Sequence, residues 1–159
     1  MVDVGAKAET AREAVASAAV RMKPATLALV ARGTGARGKG DVLAPARLAA
    51  IAALKRTSEW IPLCHPVRVV GIDVALTLDR ALPGVRVRVA VRAFDRTGVE
   101  MEAMVGAAAA ALTIYDMVKG AERGVEVRAV RLEEKRGGKS GEWLRRGAAG
   151  PGGRRARVK

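Results

Sequence analysis

From Met101 to Val118 the sequence holds alanine, small and long apolar residues, interrupted only by Thr113, Tyr115 and two carboxylates. Ala, Leu and Met are the best helix formers, so this run predicts a helix, and its nearly uniform apolarity predicts a buried one. A second pattern limits what can bury it. Val85 to Ala93, VRVRVAVRA, alternates valine with arginine, as a strand does when one face is covered and the other solvated. A helix wrapped by apolar neighbours and a sheet with one apolar face are complementary halves of one core.

The remaining elements follow in chain order. Met1 to Thr10 is short and polar and reads as an arm; TARE, beginning at Thr10, fits a capping box, but a strand could follow it as easily as a helix. Glu13 to Met22 fits either period, with a strand preferred. Lys23 and Pro24 break it, and Ala25 to Arg32 is a short apolar segment. Val42 to Thr57 has apolar residues at helical spacing. Pro45 belongs in its first turn, which makes Asp41 a natural cap. Glu59 to Pro66, EWIPLCHP, is a tight connection. Val67 to Leu78 and Val85 to Ala93 make an antiparallel hairpin across a turn at Arg80 to Pro83. Val125 to Leu132 alternates again as a last strand. The resulting βαββαβ order predicts an α+β, ferredoxin-like fold: an antiparallel sheet with helices on one face.

A length of 159 residues suits one domain, expected over residues 1–141. Residues 142–159 are rich in glycine and arginine and read as a disordered basic tail. The longest strictly apolar runs fall short of a bilayer span, and the amino terminus lacks the apolar core of a signal peptide, so a soluble, cytoplasmic chain without a membrane partner is expected. One cysteine, Cys64, and one histidine, His65, leave no internal disulfide and no Cys/His metal cluster to expect.

The chain carries 29 Lys and Arg against 16 Asp and Glu, which suggests polyanionic partners. Ten of those bases and only three of the acids lie between Arg131 and Lys159. Aromatic residues are too scattered for a base-stacking platform, so a nucleic-acid-binding module on the same fold stands as the rival reading, supported by charge alone.

Gly33 to Asp41, GTGARGKGD, nearly spells a phosphate-binding loop. Gly40, however, stands where a Ser or Thr must ligate magnesium, so a nucleotide kinase is disfavoured. Lys39 remains a candidate to reach a phosphate. Asp116 and Lys119, three apart, share a helix face as an ordinary ion pair or as a proton-exchanging pair. Glu100 and Glu102 could share one side of an extended lead-in to the helix, or complement its dipole. His65, held between prolines, is rigidly aimed. Lys135, Lys139 and Arg12 add cations for a polyphosphate. The residues alone describe a phosphate-ligand enzyme.

Taken in order, MVDVGAKAETARE, KGDV, IPLCHP, TGVEMEA, ALTIYDMVKG and GGKSG resemble the molybdenum-cofactor biosynthesis protein C family, the cyclic pyranopterin monophosphate synthases, over nearly all of Met1 to Gly141. The resemblance implies conversion of a cyclised guanosine triphosphate, the 3′,8-cyclo-7,8-dihydro form, to cyclic pyranopterin monophosphate with loss of pyrophosphate. It also implies a ferredoxin-like fold and a homohexamer of dimers with pockets at subunit interfaces; no cofactor and no metal ligands are expected among the site residues. The catalytic pair it implies is Asp116 and Lys119. Its substrate-binding residues fall on Lys39, His65, Glu100, Glu102, Lys135 and Arg12. The Gly33 to Gly38 loop departs from the family pattern, being glycine-rich and longer.

Overall fold

The structure, a computed structural model, describes residues 1–146. Strand β1 spans Thr10–Arg21, β2 Val69–Asp79, β3 Gly84–Asp95, β4 Glu126–Arg136 and β5 Trp143–Leu144; helix α1 spans Pro24–Ala31, α2 Leu43–Leu54, α3 Thr57–Trp60 and α4 Glu100–Val118. The sheet order is β2-β3-β1-β4-β5, with every neighbouring pair antiparallel. With helices between β1 and β2 and between β3 and β4, this is the expected α+β, ferredoxin-like arrangement.

The alternation in β3 is realised except at Ala90, which is buried although it lies on the arginine face. Val85, Val87, Val89, Val91 and Ala93 are buried, while Arg86, Arg88 and Arg92 stand on the opposite, open face. Ala14, Ala16, Ala18 and Val20 of β1 extend the buried face, and Ala103, Ala107, Ala110, Ala111 and Ile114 of α4 pack on it. Small residues on both sides let helix and sheet approach closely. A Cβ on Gly106 would come to 3.2 Å from both Leu54 and Val89, so one added methyl would already strain this contact. α2 completes the layer through Ala46, Ala50 and Leu54. By length and composition α4 could cross a bilayer; here it is the core helix.

Several local expectations change. The TARE segment opens β1, because the chain there pairs with both β3 and β4. Pro24 occupies the start of α1 instead of merely breaking a strand, where its missing N–H costs nothing. The helix expected from Val42 to Thr57 stops at Leu54, and α3 follows separately. Asp41 does serve its start, accepting the amides of Leu43 at 2.9 Å and Ala44 at 3.3 Å. Glu100 and Glu102 lie in the first turn of α4 and not in an extended lead-in. The boundary expected at residue 141 falls inside ordered structure. Trp143 pairs with Lys135 and Leu144 with Glu134 as an added edge strand, and the rest of the expected tail, from residue 147, lies outside the described residues.

The open sheet face is basic in sequence but largely neutralised in space. Arg88 meets Glu134 at 2.9 Å, Arg92 meets Asp73 at 3.6 Å, Arg131 meets Glu133 at 2.6 Å, and Arg86 is bonded to Asp79. The arginine alternation therefore does not present a free basic platform, and the nucleic-acid reading gains no support from it.

Candidate active site

The C-terminal end of α4 carries the first cluster. Asp116 and Lys119 fall on one face of the last turn, as their spacing requires, with Lys119 Nζ 2.6 Å from Asp116 Oδ1. Lys39 arrives from the glycine-rich loop to the other oxygen, its Nζ 2.9 Å from Oδ2 and also 2.9 Å from the Asp116 carbonyl. The loop can fold this way because Gly33, Gly38 and Gly40 adopt positive φ, which glycine does without steric cost. Gly35 is seated tightly: a Cβ would lie 3.2 Å from the Met117 carbonyl oxygen and 3.0 Å from Lys39 Cβ.

One carboxylate thus holds two ammonium groups at a helix end whose free carbonyls already favour cations. The hydrogen bond from Lys119, then that from Lys39, pulls Asp116 down to about 2. In return Asp116 raises Lys119 above the usual lysine value. All three side chains are about half exposed. In this state Lys119 is held protonated, as a cation fixed on Asp116.

The N-terminal end of the same helix carries the second cluster. A cleft of about 330 Å³ is lined by Lys7, Cys64, His65, Gly98, Glu100 and Glu102, among others. Glu102 is only 4% exposed. Its burial, reinforced by repulsion from Glu100 and Asp95, pushes it up to about 7. A carboxylate in the first turn of a helix is ordinarily stabilised by the dipole, so desolvation wins here. Glu100 lies 3.7 Å from Lys135 Nζ, and Lys135 is bonded to the Ser140 hydroxyl. Burial, then the charge of Glu102, raises the Cys64 thiol. Arg12 donates from Nε to the Asp95 carbonyl at 3.1 Å and from Nη2 to the Arg96 carbonyl at 3.0 Å.

The eight candidate residues therefore separate into two groups. Lys39, Asp116 and Lys119 meet at one end of α4; His65, Glu100, Glu102 and Lys135 gather at the other, with Arg12 on the turn that launches the helix. At 1.5 Å per residue, Glu100 and Asp116 are about 24 Å apart along the axis. Sequence reasoning missed Lys7, Cys64, Thr97 and Met101 as cleft-lining residues. The only signal for Cys64 was its place beside His65 between two prolines. Lys7 lies in the polar arm, which Arg96 draws in by donating to the Gly5 carbonyl at 3.1 Å.

The family profile described as the MoaC family matches residues 1–138. The chain belongs to the MoaC family. Similar curated MoaC-type proteins are named cyclic pyranopterin monophosphate synthase. Those of Brucella ovis and Brucella abortus are 56% identical over 143 residues, covering 90% of this chain and 86% of the relative. That of Brucella canis is 55% identical with the same coverage. The MoaC match takes in both ends of α4 and every residue of the two groups. Lys139 and β5 lie beyond it.

Proposed function

We propose that the chain is a cyclic pyranopterin monophosphate synthase of molybdenum cofactor biosynthesis. It converts (8S)-3′,8-cyclo-7,8-dihydroguanosine 5′-triphosphate to cyclic pyranopterin monophosphate and releases pyrophosphate. The observation that carries this reading is the Asp116 carboxylate gripping both Lys119 and Lys39 at the end of a buried helix. Closing a cyclic monophosphate from a triphosphate forms one P–O bond between a sugar-derived hydroxyl and the α-phosphorus, releases that hydroxyl's proton, and breaks the bond to the departing pyrophosphate. Negative charge grows on the leaving group, where preorganised cations are most effective. Lys119, protonated and held by Asp116, supplies a proton; Lys39 and Lys135 neutralise phosphate oxygens. The cleft of His65 and Glu102 suits the ring portion, because a buried carboxyl near neutrality both donates and accepts.

The two groups lie too far apart to share one small molecule within one chain. The reading therefore includes a homohexamer of dimers in which the Asp116 end of one subunit faces the Glu102 end of another. A cytoplasmic setting fits the free Cys64.

Purified protein presented with the cyclised triphosphate should yield pterin and pyrophosphate together. A folded wild type that yields neither would refute the synthase assignment. Mixing separately inactive Lys119→Ala and Glu102→Gln chains, after subunit exchange, should restore about a quarter of wild-type turnover, because half of the dimers then hold one intact site of two. No recovery on mixing would refute the shared site.

A further inference from the structure

Arg12 spends its guanidinium on backbone. Both of its hydrogen bonds go to carbonyls of the turn between β3 and α4, those of Asp95 and Arg96. Its other side is closed by the glycine turn after β4. A Cβ on Gly138 would stand 1.7 Å from Arg12 Nη1, and one on Gly137 would stand 2.0 Å from the Ala11 carbonyl oxygen. The guanidinium is thus sandwiched between two turns, each leading to one side of the cleft. The first continues through Thr97 and Gly98 into Glu100 and Glu102. The second carries Ser140, which is bonded to Lys135, and Lys135 pairs with Glu100.

We propose that Arg12 is a positioning residue: a guanidinium clasp, sealed by Gly138, that fixes the acidic rim of the cleft, Glu100 and Glu102, against its basic rim, Lys135. The proposal rests on reading the cleft as part of the synthase site. It departs from the direct substrate contact that family resemblance implies for Arg12. A planar fork suits two neighbouring carbonyls, and a lysine's point charge does not reproduce it.

Gly138 offers a test that keeps the charge. A methyl group there is relieved by moving the end of a flexible side chain, so Gly138→Ala should expel the guanidinium from its seat without unfolding the chain. Its cost at positive φ is matched by Gly141→Ala, since Gly141 has φ +65 and open space where its Cβ would go.

The experiment compares Arg12→Ala, Arg12→Lys, Gly138→Ala, Gly141→Ala and the Arg12→Ala/Gly138→Ala double variant in the full chain. It measures kcat, KM, calorimetric affinity for inorganic pyrophosphate and thermal unfolding. The clasp predicts that Arg12→Ala, Arg12→Lys and Gly138→Ala each lower kcat, on the order of tenfold to a hundredfold, with any change in pyrophosphate affinity, through the displaced Lys135, shared by all three. The double variant should be no worse than the poorer single one, and Gly141→Ala should stay within about twofold of wild type. Gly138→Ala behaving as Gly141→Ala, or pyrophosphate affinity falling with Arg12→Ala alone, would overturn the clasp in favour of phosphate contact. If the wild type lacks turnover, the synthase reading fails by itself. Unfolding still decides the clasp: coupling between positions 12 and 138 supports it, and strict additivity overturns it.

Discussion

At the N-terminal end of α4 a carboxyl group is buried and pushed up to about 7; at the C-terminal end another is exposed and pulled down to about 2. The two residues are chemically near-identical, and the helix dipole alone would order them the other way. An acid should be easier to ionise at the N-terminus than at the C-terminus. Local surroundings override the dipole at both ends. Glu102 has lost water and faces Glu100 and Asp95, whereas Asp116 keeps its water and gains two ammonium partners. One end of the helix therefore carries a carboxyl group that changes protonation near neutrality, and the other a carboxylate that holds two ammonium groups in place. A substrate that carries both a fused ring and a triphosphate needs both kinds of end.

The sharpest way to break this contrast is to remove the donor. Lys119→Ala should fold as the wild type does, because the side chain is half exposed, and should lose about three orders of magnitude in turnover. Pterin formation within tenfold of wild type would remove Lys119 from the chemistry and leave its pair with Asp116 as surface electrostatics.

The next effect concerns stability at the opposite end. Because Glu102 titrates near 7 in the folded chain against an ordinary value of 4.5, the folded state holds a proton that the unfolded state has released between those pH values. Stability therefore falls as pH rises through that window. Glu102→Gln removes the penalty. The variant should match wild type near pH 4.5 and exceed it by about 3 kcal/mol above pH 7, read from denaturant unfolding across pH. A stability difference that does not change with pH would mean that Glu102 is not desolvated in solution.

How much of this was visible beforehand differs between the two ends for a physical reason. The Asp116–Lys119 pair is local: three residues on a helix fix the geometry, so the sequence sufficed. The β3 alternation was equally legible, since a period of two has one structural meaning. The N-terminal end depends on what covers it. Glu100 and Glu102 stand open between an extended lead-in and the first helical turn on sequence alone, because helix starts are set by capping and tertiary context, and Val99 provides no side-chain cap to mark the boundary. The cleft beside Glu102 is likewise lined by the LCHP connection and the polar arm, both distant in sequence. Lys39 was identified as a phosphate candidate, but its seat on Asp116 was not, because a loop with three positive-φ glycines has no pattern from which its path can be read. Arg12 counts among the substrate cations on sequence alone; its hydrogen bonds to the Asp95 and Arg96 carbonyls and the packing of Gly138 on its guanidinium suggest another task.

Lys39 gives the mildest test and the one that best separates the roles of the two lysines. Asp116 owes its depressed value first to Lys119 and second to Lys39, so Lys39→Ala should move the Asp116 titration up from about 2 without restoring the ordinary value. The sign follows from the loss of one cation that favoured the charged form. Carboxyl NMR across acidic pH would read the midpoint directly. In turnover, the loss should be on the order of tenfold in kcat/KM, far smaller than in Lys119→Ala, because Lys39 is assigned to neutralisation of phosphate and not to proton delivery. If kcat falls as far as it does in Lys119→Ala, the two lysines are one catalytic unit bridged by Asp116. The glycine loop would then be part of the reacting centre, and Lys39 could no longer be described as merely holding charge.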